Sequence, residues 1–113
     1  CIHGWGLPRT VFRWNSGTGR LESKFMFYVY LLLSKKKQGQ LYAGYTEDLE
    51  ARLKKHNAGE VRSTKPYLPW DIIYYEAFIS MKDAKQREHY LKTTKGRRTL
   101  RLMLADTLNL KHN

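Results

Sequence analysis

The sequence holds a single cysteine, Cys1. No disulfide can therefore form within the chain, and no thiolate cluster is available for zinc. A reducing, cytoplasmic setting is the expectation that follows. Long apolar runs are also lacking. The longest, from Phe25 to Leu33, falls far short of the roughly 20 residues that cross a bilayer, so it reads as a buried strand and no membrane is expected. The first 25 residues contain no apolar stretch of the length, about 7 to 15 residues, found in secretory signals, and export is not expected. Acidic residues are scarce as well: 10 Asp and Glu stand against 21 Lys and Arg, for a net charge of +11. A surface this basic attracts polyanions by neutralising phosphates and releasing their counterions. Nucleic acid is the leading partner class, although a cationic surface that only maintains solubility has the same composition.

The 113 residues have room for one domain with one modest core. Residues 1 to 25 carry Gly4, Gly6, Pro8, Gly17 and Gly19 without a period, which predicts an unstructured arm or upstream extension; a basic arm that touches nucleic acid is the competing reading. Met26 stands immediately before the first strong strand, and the domain is expected over residues 26 to 110. Branched and aromatic residues predict strands at Phe25 to Leu33, Leu41 to Tyr45 and Asp71 to Phe78. Thr46 is a predicted N-cap for a helix at about Glu47 to Asn57, with Gly59 as its stop. Ser80 and Asp83 resemble a capping box that opens a second helix, roughly Met81 to Lys92. A third follows Gly96, with Leu100, Leu104 and Leu108 on one face. The expected fold class is α+β, in the order β-β-α-β-α-α.

Glu88 is the most informative single position. Helical spacing puts it in a stripe with Met81, Ala84 and Leu91, where an ionised carboxylate needs a partner. A divalent cation and a buried pair with Arg or Lys both satisfy that need. Arg52 and His56 lie one helical turn apart, beside the core-facing Leu49 and Leu53. A guanidinium binds two phosphate oxygens at once and imidazole moves a proton near neutrality, which suits phosphoryl chemistry; a solvated basic face has the same spacing. Tyr28 and Tyr30 alternate on the first strand and Tyr42 begins the second, so their phenols can share a surface, as can purely packing tyrosines.

Taken together and in order, the segments Tyr28 to Leu32, Leu41 to Gly59 and Ala84 to Lys92 closely resemble the GIY-YIG nuclease family. Tyr28-Val29-Tyr30 stands where the GIY tripeptide belongs and Tyr42-Ala43-Gly44 where YIG belongs, with a short hairpin between them. Arg52 matches the family arginine, His56 the histidine one turn later, and Glu88 the metal-binding glutamate. The later segments further resemble small stand-alone bacterial members, similar to the amino-terminal nuclease part of the excision-repair C subunit. The sequence departs from the family in two ways: a glycine and both isoleucines are missing from the tripeptides, and Thr93 and Thr94 follow the glutamate helix where many members carry an asparagine.

The resemblance implies a three-stranded antiparallel sheet flanked by helices, with the site on one sheet face. It implies a metal-dependent endonuclease that hydrolyses phosphodiester bonds, of DNA and with little sequence preference, in a setting akin to DNA repair. One Mg2+ or Mn2+ would be held by Glu88. Tyr30 would orient or deprotonate the attacking water with support from Tyr42, Arg52 would bind the developing charge on phosphorus, and His56 would assist proton movement. The cations expected to carry the nucleic acid are Lys35, Lys36, Lys37, Lys55, Arg62, Lys65, Arg97 and Arg98. The alternative reading is a nucleic-acid-binding module of the same fold that is catalytically weak or inactive.

Overall fold

The computed structural model describes residues 10–112. Five strands and four helices follow one another as β1 (Thr10–Asn15), β2 (Arg20–Phe25), β3 (Phe27–Ser34), β4 (Leu41–Thr46), α1 (Leu49–Asn57), β5 (Trp70–Phe78), α2 (Met81–Leu91), α3 (Thr94–Met103) and α4 (Ala105–His112). β3, β4 and β5 form an antiparallel sheet in the order β4-β3-β5, as the resemblance implied.

β3 is the axis of the molecule. Seven of its eight residues are buried because both faces of the strand are covered, which is why it reads as a nearly continuous apolar run rather than an alternation. Tyr28, Tyr30 and Leu32 face one layer, with Leu49 of α1 and Trp70 of β5. Val29, Leu31 and Leu33 face the other, with Leu41 and Ala43 of β4, Ala84 and Leu91 of α2, Leu100 of α3 and Leu108 of α4. Fully burying a leucine contributes about 1.5–3 kcal/mol, so two apolar layers hold β3 in one register.

Local caps fix the helices against these layers. Asp48 is the N-cap of α1 and accepts from the Ala51 amide at 3.1 Å. Thr46, the expected cap, accepts from the Asp48 amide at 3.1 Å and donates to the Asp48 carbonyl at 3.2 Å, so α1 starts later than predicted. At the other end of α1, the Asn57 amide accepts from the Trp70 nitrogen at 2.7 Å and donates to the Trp70 carbonyl at 3.1 Å, tying the helix to the first residue of β5. Ser80 caps α2 through the Asp83 amide, as the capping-box pattern predicts. Arg87 of α2 then grips Glu76 of β5 through Nε and Nη2 at 2.9 and 3.0 Å.

Three expectations need correction. The predicted third helix is two, α3 and α4, parted at Leu104; α3 begins before Gly96, capped by Thr93 through the Gly96 amide at 3.0 Å. A methyl on Gly96 would run into the Tyr90 carbonyl, so the glycine lets α3 approach the end of α2 closely rather than starting a helix. Met81 does not join the buried stripe of α2, which is Ala84 and Leu91; as the first residue of the helix it is 43% exposed. Finally, Thr10–Phe25 is not an unstructured arm: β1 and β2 pair in register from Thr10 with Phe25 to Asn15 with Arg20. The Asn15 side chain accepts from the Gly17 amide at 2.9 Å, and Gly19 supplies the positive φ of 69° that closes the turn. Residues 1–9 of the expected arm lie outside the described residues.

Candidate active site

The site grows from Tyr30, at the middle of β3. Its backbone partner across the ladder is Gly44 of β4. A Cβ at Gly44 would fall inside the Tyr30 phenol, so the ring lies flat on a bare stretch of the edge strand. That seat points the hydroxyl at α1, where two side chains one turn apart meet it. His56 Nε2 lies 2.8 Å from the Tyr30 oxygen, and Arg52 donates to it from Nε at 3.3 Å. His56 is fully buried, and its Nδ1 is 2.8 Å from the Thr64 hydroxyl.

Tyr42 stands edge-on to the same imidazole, with ring centroids 5.2 Å apart, and packs against Trp70 on its far side. The Arg52 guanidinium serves both phenols, Tyr30 first and Tyr42 second, and both favour its charged form. Tyr30, Tyr42, Arg52 and His56 are thus brought into one cluster. A shallow depression of about 340 Å3 lined by Thr46, Asp48, Ala51, Arg52 and Lys55 opens beside it to solvent.

Glu88 arrives from the opposite layer, on α2. Its carboxylate is partly exposed and pairs with Lys92 at 3.2 Å, and the Lys92 ammonium sits 5.1 Å from the centre of the Tyr42 ring. Lys92, the C-cap of α2, therefore reaches Tyr42, whose backbone lies on edge strand β4, and the field of Glu88 adds to the burial that raises the Tyr30 pKa. Glu88 thus stands on a helix of the layer opposite the one that holds Tyr30 and α1.

Burial sets the protonation states. It pushes the Tyr30 phenol up to about 12, against the opposing pull of the Arg52 hydrogen bond. Burial first, and then the Arg52 charge, lower His56 to about 4. At neutral pH the pair is a neutral phenol beside a neutral imidazole.

The cations expected to bind nucleic acid fall in three groups. Lys35, Lys36 and Lys37 are exposed on the β3–β4 loop, where Lys35 pairs with Asp71 at 3.5 Å and Lys37 stands over the Tyr67 ring. Lys55, Arg62 and Lys65 are exposed on α1 and the segment after it. Arg97 and Arg98 lie on α3, in the other layer; Arg98 is exposed and the Arg97 Nε is buried.

Sequence reasoning missed three residues here. Thr64 lies in an irregular stretch where no periodicity marks a buried hydroxyl. Lys92 reads from the sequence as the end of a helix, although its position four residues after Glu88 signals an ion pair. Gly44 was noted only as a motif letter, although its place opposite Tyr30 follows from the hairpin register. Thr93, where the family pattern has asparagine nearby, is occupied as the cap of α3.

Among the described residues no group of three or more His, Cys, Asp or Glu side chains is placed to hold a metal, and no helix is long and apolar enough to cross a membrane. The family model for the GIY-YIG catalytic domain matches residues 26–101. Among curated proteins, the UPF0213 protein of Staphylococcus saprophyticus is 37% identical over 66% of this chain and 92% of its own length. That of Bacillus pumilus is 41% identical over 62% and 70%, and that of Clostridium perfringens 36% identical over 74% and 88%. No solved structure matches the chain significantly. A family match that starts where β3 is about to begin and runs into the last turn of α3, supported by relatives covered over most of their length, places this chain in the GIY-YIG catalytic domain family, whose nuclease chemistry implies a nucleic-acid substrate.

Proposed function

We propose that the protein is an endonuclease that hydrolyses phosphodiester bonds in DNA with little sequence preference. The observation that carries this reading is the chain Arg52 to Tyr30 to His56, a buried phenol between a fixed cation and a neutral imidazole. Burial pushes the Tyr30 phenol up to about 12, which favours the neutral phenol over a standing phenolate at neutral pH. The phenol instead works as a relay. A water at the phosphate gives its proton to the Tyr30 oxygen while Tyr30 gives its own to His56 Nε2, leaving hydroxide to form the new P–O bond. His56 is neutral at rest and holds the proton only in passing; because the imidazole is buried, the proton goes back through the Tyr30 hydroxyl, which returns it to the departing oxygen. Arg52 faces the charge that accumulates on the phosphoryl oxygens. Tyr42 packs against His56 and holds it in line.

The residues present suit one divalent cation of the Mg2+ or Mn2+ kind. Glu88 offers a single, partly solvated hard carboxylate, the minimal protein contribution for an ion that keeps most of its waters and takes further oxygens from substrate. When bound, such an ion supplies Lewis acidity at the phosphate. A non-cleaving nucleic-acid-binding module is the second reading, favoured by the Lys92 ammonium already paired with Glu88.

Relaxation of supercoiled plasmid in Mg2+, in Mn2+ and in EDTA tests the proposal, with Glu88→Gln as the matched control. The expected result is metal-dependent nicking that Glu88→Gln loses while folding and DNA retention persist. Equal nicking by Glu88→Gln removes the metal role; DNA retention without any nicking by the wild type favours the binding module.

A further inference from the structure

Thr64 lies beyond Arg52, Tyr30 and His56 in the same line of hydrogen bonds, and the direction of that line is fixed by counting protons. Arg52 Nε can only donate, so the Tyr30 oxygen accepts from it. The Tyr30 hydroxyl proton, buried with the ring, then finds its acceptor at His56 Nε2, 2.8 Å away. For Nε2 to accept, the neutral imidazole must carry its proton on Nδ1, and Nδ1–H points at the Thr64 oxygen at 2.8 Å. Thr64 passes its own proton to the Val61 carbonyl at 3.3 Å. Every donor then has an acceptor. In the reverse arrangement, with Thr64 donating to Nδ1 and Nε2–H donating to Tyr30, the phenol oxygen receives two protons and its own finds no acceptor among the protein groups bonded to it.

The position of the threonine is itself fixed. Its carbonyl accepts from Trp70 Nε1 at 2.9 Å, and its amide donates to Val61 at 3.1 Å. The hydroxyl is thus held by the backbone rather than by the imidazole it serves.

We propose that Thr64 is a positioning residue that holds His56 in the Nδ1–H tautomer and so keeps the Nε2 lone pair facing the Tyr30 hydroxyl. The consequence for turnover rests on the relay proposed above; the tautomer does not. Without the Thr64 hydroxyl, Nδ1–H loses its acceptor, and the imidazole no longer prefers the form able to take the phenol proton.

The test uses full-length protein labelled with 15N at histidine, with His56 assigned by its loss in His56→Gln. In the wild type at neutral pH, Nδ1 is expected to give the shift of a protonated ring nitrogen and Nε2 that of an unprotonated one. Thr64→Val is expected to mix or reverse the two, and Thr64→Ser to restore them. In cleavage assays Thr64→Val should lower kcat at least about tenfold with KM unchanged, and Thr64→Ser should recover the rate. If Thr64→Val does not fold, Thr64→Ala takes its place in both measurements. A wild-type His56 protonated on Nε2, an unchanged pattern in the threonine variants, or an altered pattern with unchanged kcat each overturns the proposal. If the tautomer behaves as expected but the wild type cleaves nothing, the nuclease reading fails and the assignment of Thr64 as the tautomer anchor stands.

Discussion

The seat beneath Tyr30 offers a sharp perturbation, Gly44→Ala. The new methyl would overlap the phenol oxygen and the carbon that bears it, and non-bonded carbons need about 3.5–4.0 Å. The ring must therefore retreat by on the order of 1 Å, away from the edge strand. A shift of that size stretches the 2.8 Å contact with His56 past the limit of about 3.5 Å for a hydrogen bond. Overpacking of this kind costs about 1–3 kcal/mol, equivalent to a fall in melting temperature on the order of 5–15 °C for a domain of this size. Gly39→Ala supplies the contrast, since Gly39 has a φ of 80° but open space around its would-be Cβ. Its cost is backbone strain of about 1–2 kcal/mol, far from the phenol. Thermal melts and single-turnover cleavage at saturating enzyme separate the two. Both variants should melt earlier, but only Gly44→Ala should lose the chemical step, by about 10²-fold or more. A Gly44→Ala protein that cleaves at the wild-type rate would refute the reasoning, because the relay would then not depend on where the ring lies.

Three further outcomes follow from the same geometry. Arg52→Lys keeps the charge but loses the fork that serves Tyr30 and Tyr42, so turnover should fall about 10²- to 10³-fold with DNA affinity little changed; lost affinity with an unchanged saturated rate would demote Arg52 to part of the basic surface. His56 has a folded pKa of about 4 against an ordinary 6.5, so the unfolded chain binds the extra proton first. Its contribution is present above pH 6.5 and is lost as pH falls towards 4, by on the order of 3 kcal/mol; urea melts should show that loss in the wild type and not in His56→Gln, and an equal slope in both would exclude His56 as its source. Removing residues 1–25 should leave a stable, active domain, because the family match begins at residue 26 and β1 and β2 pair with one another; a truncated protein that melts much earlier or fails to cleave would make the hairpin part of the domain.

The central sheet was legible in the sequence because β3 is covered on both sides, and a run such as Tyr28 to Leu33 has few other homes in a small domain. The helix that carries Arg52 and His56 was legible from its acidic start and its glycine stop. What escaped had physical reasons. Leucines at 100, 104 and 108 keep an apolar face through the break at Leu104, so periodicity cannot reveal it. The hairpin at Thr10–Phe25 escapes because glycines at 17 and 19 have the composition of an unstructured segment, although one of them closes a turn. Of the candidate site, the residues with distinctive chemistry could be named from their order along the chain. Thr64 could not, because a hydroxyl becomes informative only when an imidazole nitrogen is seen pointing at it.

The clasp between Asn57 and Trp70 bears on how the protein behaves in crowded solution. β5 is an outer strand, and an outer strand invites another chain to continue its ladder. At Trp70 that invitation is withdrawn: the Asn57 amide offers one acceptor and one donor to the backbone, the pair of bonds a neighbouring strand would otherwise make. One side chain thus imitates a strand one residue long, and stacking of molecules sheet against sheet is closed off at this end of β5 by the same helix that carries Arg52 and His56.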